Sequence, residues 1–156
     1  MPVRVVRIGR ITHDIWSGAG AARVGGRWNA PGVEVIYAAS TKSLSMLETL
    51  VQGGDFSVPR AAIEAQIPAD VAIETLTPLP AGWRELDSSG ARDAGTAWVA
   101  SGRTAVLRVP SAVVPDEMNF LINPRHPDAV RITVGAPAPV EWDPRLFGIA
   151  APPRRV

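Results

Sequence analysis

Cysteine is absent from the sequence, and histidine occurs only as His13 and His126. The first absence excludes disulfide bonds, thiolate metal sites and a cysteine nucleophile, and it is compatible with a reducing cytosol. The two histidines lie far apart in sequence, so we expect no bound metal. We expect no resident cofactor either. No segment approaches the roughly 18 unbroken apolar residues of a membrane helix, and the N-terminus lacks the apolar run of a secretory signal. We therefore expect a cytoplasmic protein that does not bind membranes.

An excess of charge of one sign is also missing. Lys and Arg number 16 against 15 Asp and Glu, which gives a net charge of +1. A nearly neutral chain gives no general reason to expect nucleic acid as a direct partner. The length of 156 residues, 46% of them hydrophobic, fits one compact domain with its own core. We expect a single domain over residues 1–156, with a frayed tail from about residue 150.

The best-marked element is a helix that follows Ser40 or Thr41, either of which can cap it, and that runs through Gln52 to the Gly53-Gly54 pair. Its apolar residues recur at helical spacing. Because a helix turns about 100° per residue, Glu48 lies only some 40° beyond Leu44, at the rim of the apolar stripe. A carboxylate at that position points into the seam between the helix and a sheet.

The rest of the chain predicts a strand-rich α+β domain with largely antiparallel sheet. The glycine-rich stretch at residues 18–26 is interpreted as a loop. Residues 27–29 and 33–38 are interpreted as a hairpin around a turn at 30–32, where Pro and Gly favour turn geometry. Further strands are predicted at 3–8, 61–67, 71–76, 105–109, 119–122 and 130–134, and a second helix at 92–100.

Three residues of the segment 25–50 suit the cleavage of a nucleotide's glycosidic bond. Arg27 offers a planar fork for a phosphate, Tyr37 offers a face for a flat ring, and Glu48 offers a charge that steadies a cationic transition state. Each residue has a structural interpretation as well, since a lone Arg, Tyr or Glu is more often a surface or packing residue.

Several motifs occur together in a characteristic order. GGRWN is followed by PG, then by VIYAA, then by a helix carrying Leu47-Glu48, and finally by VPSAVVPDEMNFLINPRHP at residues 109–127. In this combination, the chain resembles the RES domain, a family named for its Arg, Glu and Ser, over almost its whole length.

The resemblance implies an ADP-ribosyltransferase-like fold with mixed or antiparallel sheets and flanking helices. It implies the toxin of a two-gene toxin–antitoxin system, with an Xre-like helix-turn-helix antitoxin as its partner. It also implies an enzyme that degrades NAD+, either as a glycohydrolase using water or as an NAD+ phosphorylase using inorganic phosphate.

The resemblance also implies roles for individual residues. Arg27, Tyr37 and Glu48 match its catalytic positions, with Glu48 near the ribose, Arg27 on the pyrophosphate or an attacking phosphate, and Tyr37 against the nicotinamide or its ribose. Ser111 would hydrogen-bond the substrate or orient the Arg, and it is not assigned as a nucleophile because no base is placed to activate it. The remaining substrate-binding positions are Arg7, Trp28 and Asn119. Val6 departs from the family, which often has an aromatic residue there.

Two alternatives stay open at this point. One is a mono-ADP-ribosyltransferase that attaches the ADP-ribose to a macromolecule, and the other is a non-catalytic interaction module. The choice between water and phosphate, the oligomeric state (a homo-oligomer included), the way in which an antitoxin blocks the site, and substrate contact by Arg7 and Asn119 are open as well. His13 and His126 are expected to form turn hydrogen bonds rather than to act as bases.

Overall fold

One mixed β-sheet organises residues 1–148, the part of the chain that this computed structural model describes. The tail predicted to fray from about residue 150 lies outside these residues. The spatial order of the eight strands is β4-β5-β6-β2-β1-β3-β7, and β8 also pairs with β3. The strands are β1 (Val3–Arg10), β2 (Ile36–Ala39), β3 (Arg60–Ile67), β4 (Ile73–Thr75), β5 (Val106–Pro110), β6 (Met118–Ile122), β7 (Thr133–Val134) and β8 (Ala138–Pro139).

Strand pairing confirms the predicted α+β class and the largely antiparallel sheet. β4 and β5 run parallel, and the other pairs of these eight strands are antiparallel. β1 lies between β2 and β3, with Val6 opposite Ala39 and Arg7 opposite Ile63. This pairing places Arg7 near the middle of the sheet. The strands predicted at 3–8, 61–67, 105–109 and 119–122 are all present.

The sheet has a hydrophobic core on each face, because successive side chains of a strand point to opposite faces. Val106 and Ile122 pack on one face with Val5. Leu107 and Leu121 pack on the other face, in the cluster that contains Trp28 and Trp98. The second cluster fixes the turn that carries Trp28, and this turn forms part of the candidate site.

The predicted helix after residue 41 is confirmed as α2 (Lys42–Gln52), which contacts β1 and β2. Thr41 caps it, because its hydroxyl accepts a hydrogen bond from the Leu44 N–H at 3.1 Å. Gly53 ends it at φ 72°, a left-handed backbone angle that favours glycine. None of the helices within residues 1–148 combines the length and apolarity that crossing a bilayer requires.

The helix predicted at 92–100 is confirmed and is longer, α3 (Ser89–Ser101), because the hydroxyl of Ser88 accepts a hydrogen bond from the Ala91 N–H. Close packing explains why a glycine stands at position 95 of this helix. A β-carbon built there would overlap the backbone carbonyl oxygen of Trp28. Only glycine therefore allows α3 to approach the Arg27–Trp28 turn this closely.

Two predictions for the N-terminal third are wrong. The stretch at 18–26 is not all loop, because Ala19–Val24 forms a short helix, α1, in which three alanines and an arginine offset the glycine. The hairpin at 27–29 and 33–38 is absent, and β2 begins only at Ile36. The turn around Gly32 (φ 91°) does form. The Asn29 side chain accounts for the missing hairpin, because its amide donates a hydrogen bond to the Val33 carbonyl that a strand ladder would need.

Two further predictions hold only in part. The strand at 71–76 shortens to Ile73–Thr75. Residues 130–134 are a strand only at Thr133–Val134, because Pro127–Arg131 forms a 3-10 helix that Pro favours in its first turn. His126 caps this turn, its Nδ1 accepting from the Asp128 N–H at 3.0 Å, in line with the turn role expected of it.

Candidate active site

A cleft of about 750 Å³ brings together six of the seven predicted site residues. A smaller hollow of about 140 Å³ adjoins it and shares four of those six. Ser111 is the seventh residue, and it is fully buried behind the cleft wall. The six cleft residues are Arg7, Arg27, Trp28, Tyr37, Glu48 and Asn119.

Glu48 lies on α2 at the seam with the sheet, where the helical periodicity placed it. Its Oε1 accepts two hydrogen bonds, from the Ser111 hydroxyl at 2.6 Å and from the Asn119 amide at 2.7 Å. Within residues 1–148, Oε2 accepts none. One oxygen therefore fixes the orientation of the carboxylate, and the other is available to a ligand.

Ser111 directly follows β5 and holds Glu48 in place. Its Oγ accepts from the N–H groups of Val113 at 3.1 Å and Val114 at 3.0 Å while it donates to Glu48. The hydroxyl therefore has no free capacity. Ser111 therefore has a carboxylate as its partner, in place of the substrate or arginine expected from the sequence.

Asn119 on β6 links Glu48 to the sheet. Because a carboxylate only accepts hydrogen bonds, the contact with Glu48 must come from Nδ2, which fixes the orientation of the amide. Its Oδ1 is then buried without a hydrogen-bond partner among the described residues.

Tyr37 on β2 presents its ring to the cleft, while its hydroxyl is already engaged. The hydroxyl donates to Asn29 Oδ1 at 2.5 Å and accepts from the Trp28 N–H at 3.1 Å. Burial raises the pKa of this phenol above its ordinary value, so it stays neutral. Gly26 permits the arrangement, since a β-carbon there would lie 2.8 Å from both the Tyr37 hydroxyl and Asn29 Oδ1.

Arg7 on β1 joins the loop after β1 to strand β2 through two hydrogen bonds. Its Nε donates to the Ile15 carbonyl at 2.5 Å and its Nη1 to the Tyr37 carbonyl at 2.8 Å. Burial lowers the pKa of its guanidinium, which nevertheless remains charged because the ordinary value is so high. The cation therefore sits in the cleft wall with carbonyl partners.

Arg27 occupies a tight turn between α1 and β2, and its contacts are with a distant segment. Its Nη1 donates to the carbonyls of Trp83 at 2.8 Å and Glu85 at 2.7 Å. The Trp83 ring stacks on Trp28, with the ring centres 6.2 Å apart. Trp28 is thus both a core residue and part of the cleft lining.

Sequence reasoning missed three residues of this site. Asn29 is fully buried and ties α1 to the Tyr37 strand, because its amide N–H donates to the Ala21 carbonyl and its Oδ1 accepts from the Tyr37 hydroxyl. Its place in the GGRWN motif was a signal that could have identified it. Gln52 and Arg84 line the cleft as well. No local pattern marks either of them, because their proximity to the site arises from tertiary packing.

No group of three or more His, Cys, Asp or Glu side chains within residues 1–148 is arranged to hold a metal ion. The chemistry that the described cleft offers is that of a fixed carboxylate, a neutral phenol ring and arginines. This set suits a substrate that combines a developing positive charge with phosphate groups.

Comparison with known sequences shows a match between residues 2–143 and the model of the RES domain. The chain is 43% identical over 142 residues to the "Prs ADP-ribosylating toxin" of Sphingobium sp. (strain YBL2), a match covering 86% of this chain and 88% of the relative. It is 41% identical over 142 residues to the "Toxin Res" of Yersinia enterocolitica, covering 88% of this chain and 93% of that protein.

Comparison with solved structures shows a match to a chain of the M. tuberculosis MbcT-MbcA toxin–antitoxin complex. The TM-score is 0.75, the match covers 95% of this chain and 88% of that chain, and the sequence identity is 20%. At this identity the likeness shows that the fold is shared.

Proposed function

The chain belongs to the RES domain family, and we propose that it is the toxin of a toxin–antitoxin system that degrades NAD+ by cleaving the bond between nicotinamide and ribose. The observation that carries the proposal is the Glu48 carboxylate, held by one oxygen and free at the other in a cleft that also exposes a tyrosine ring and arginines.

The chemistry follows from that arrangement. When the bond between nicotinamide N1 and C1″ of its ribose breaks, nicotinamide leaves with the electron pair and the ribose becomes oxocarbenium-like. Glu48 opposes this positive charge and accepts a hydrogen bond from a ribose hydroxyl through Oε2. Tyr37 packs against the nicotinamide or its ribose, and Arg27 and Arg7 supply positive charge for the phosphates.

Water or inorganic phosphate then attacks C1″ and loses a proton, giving ADP-ribose or ADP-ribose 1″-phosphate. The proposal therefore covers a glycohydrolase and an NAD+ phosphorylase. The test is NAD+ loss by the purified chain, free of any antitoxin, with and without phosphate, and with products identified by mass. Nicotinamide release is the expected result, and intact NAD+ in both buffers with a folded protein would contradict it.

A second candidate is the transfer of ADP-ribose to a macromolecule. The relative named "Prs ADP-ribosylating toxin", at 43% identity, favours it. NAD+ labelled in its adenylate half separates the two activities. Label fixed on macromolecules supports the transferase, and label only in small products supports degradation.

The partner and setting form part of the proposal. We expect an antitoxin as partner, which the structural likeness to a chain of a toxin–antitoxin complex supports. We further expect this antitoxin to be an Xre-like helix-turn-helix protein and the toxin to act in the cytoplasm. Kinship of the α+β fold with ADP-ribosyltransferases also remains a proposal. Co-expression provides the test, since growth arrest by this chain should be relieved by the antitoxin or by Glu48→Gln.

A further inference from the structure

Three arginines line the main cleft, and none of them forms a salt bridge within residues 1–148. Arg7, Arg27 and Arg84 all donate to backbone carbonyls. Glu48 is the one carboxylate in the described lining of this cleft. Several arginines outside the cleft are paired with carboxylates, as Arg103 is with Glu74 at 2.8 Å. The cleft therefore carries an excess of positive charge that its own residues do not neutralise, which favours an anionic ligand.

Arg84 has the most free donors of the three. Its side chain is exposed, and its Nε donates to the Ala112 carbonyl at 2.9 Å. Neither Nη1 nor Nη2 has a hydrogen-bond partner among the described residues. The Nε contact holds the guanidinium at the cleft wall and leaves four N–H donors for a ligand.

The backbone around Arg84 is held by Arg27. The two carbonyls that Arg27 contacts belong to Trp83 and Glu85, the residues immediately before and after Arg84. The stack of Trp83 on Trp28 also holds this segment. Arg27 thus uses both N–H groups of Nη1 to position Arg84.

We propose that Arg84 is a phosphate-binding residue of this cleft and that its ligand is the pyrophosphate of the dinucleotide, an inference that rests on the proposed function. A guanidinium with free donors on both terminal nitrogens matches the paired oxygens of a phosphate. Holding that fork in place beforehand reduces the side-chain entropy lost on binding. In this arrangement Arg27 acts on the phosphate partly through Arg84, as a positioning residue.

Binding of ADP-ribose tests this inference without any turnover. We would measure its Kd by calorimetry for the parent chain, Arg84→Gln and Arg84→Lys. Arg108→Gln is the matched control, because Arg108 is also exposed, contacts only the neutral Thr75 hydroxyl, and lies outside the cleft lining. Tryptophan fluorescence and thermal unfolding would show that each variant is folded.

We expect Arg84→Gln to weaken ADP-ribose binding about tenfold or more and Arg108→Gln to change it less than about twofold. Arg84→Lys should fall in between, because it keeps the charge and loses the fork. For NAD+ turnover, KM should rise by a similar factor in Arg84→Gln with kcat little changed, because the reacting bond lies elsewhere in the substrate.

Three results would overturn the inference: an Arg84→Gln Kd within twofold of the parent, equal weakening in both Gln variants, or no ADP-ribose binding by the parent chain. Failure of the proposed function looks different. A parent chain that binds ADP-ribose and leaves NAD+ intact would contradict the degradation proposal, while the Kd comparison would still decide the role of Arg84.

Discussion

Ser111 donates its hydroxyl hydrogen to Glu48 across 2.6 Å, although 63 positions separate the two residues in sequence. The same hydroxyl accepts two backbone N–H groups from the turn that follows it. The carboxylate on α2 is therefore oriented by the end of β5, an element on another part of the sheet. Glu48 and Ser111 thus form one structural unit, whereas Arg27 makes its hydrogen bonds to Trp83 and Glu85.

Glu48→Gln should abolish most activity while preserving the fold. The amide keeps an oxygen that can accept from Ser111 and Asn119, but it carries no charge to oppose an oxocarbenium-like ribose. We expect NAD+ loss to slow by about a hundredfold or more, with a thermal unfolding temperature close to the parent's. Glu64→Gln is the control, since Glu64 is exposed and pairs with Arg4 away from the cleft. Similar rates for both variants would remove Glu48 from the mechanism.

Ser111→Ala should act first on stability. The substitution removes the fully buried hydroxyl that accepts from the N–H groups of the half-buried Val113 and Val114, so we expect the free energy of unfolding to fall by about 2 kcal/mol. Activity should fall less than in Glu48→Gln, because the carboxylate keeps its charge and its bond to Asn119. Urea unfolding measures the first effect, with the exposed Ser57→Ala as control. An unchanged unfolding free energy would contradict this prediction.

The sequence predicted those parts of the site that depend on regular spacing or on motif order. Helical periodicity alone placed Glu48 at the seam between α2 and the sheet. The motif order predicted the gathering of Arg7, Tyr37 and Asn119, which lie on three strands that meet only in the folded sheet.

The rest depends on contacts that no local pattern records. The path of residues 26–33 is set by the Asn29 side chain, which replaces the ladder hydrogen bonds that a hairpin would have used. Arg84 enters the cleft because Arg27 captures two carbonyls 56 and 58 positions away. Propensity and periodicity describe neighbours along the chain, and they contain no term for such pairs.

Gly95→Ala should destabilise the protein although alanine is the better helix former. The new β-carbon would overlap the Trp28 carbonyl, so α3 or the Arg27–Trp28 turn must move, and we expect a loss of about 1–3 kcal/mol. Gly20→Ala in α1 is the matched control, because no atom lies within 4 Å of its β-carbon. That variant should gain roughly 0.5–1 kcal/mol. Urea unfolding of the pair measures both, and a stabilised Gly95→Ala would show that α3 does not pack this closely.

Titration of Tyr37 can be observed directly, because it is the only tyrosine in the sequence. Burial raises the pKa of the phenol, so its phenolate absorbance should not appear near pH 10 in the native protein, whereas the urea-unfolded chain should titrate at about pH 10.

This difference makes stability depend on pH in one direction. Below about pH 10 the phenol is protonated in both states, so the stabilisation is fully present. Above that pH the unfolded chain releases a proton that the native state retains, so the free energy of unfolding falls as the pH rises. Tyr37→Phe should remove both the absorbance change and this part of the slope. It should also cost about 1 kcal/mol at neutral pH, because Asn29 loses its donor. Native phenolate absorbance at pH 10 would mean that the hydroxyl is open to solvent rather than bonded to Asn29.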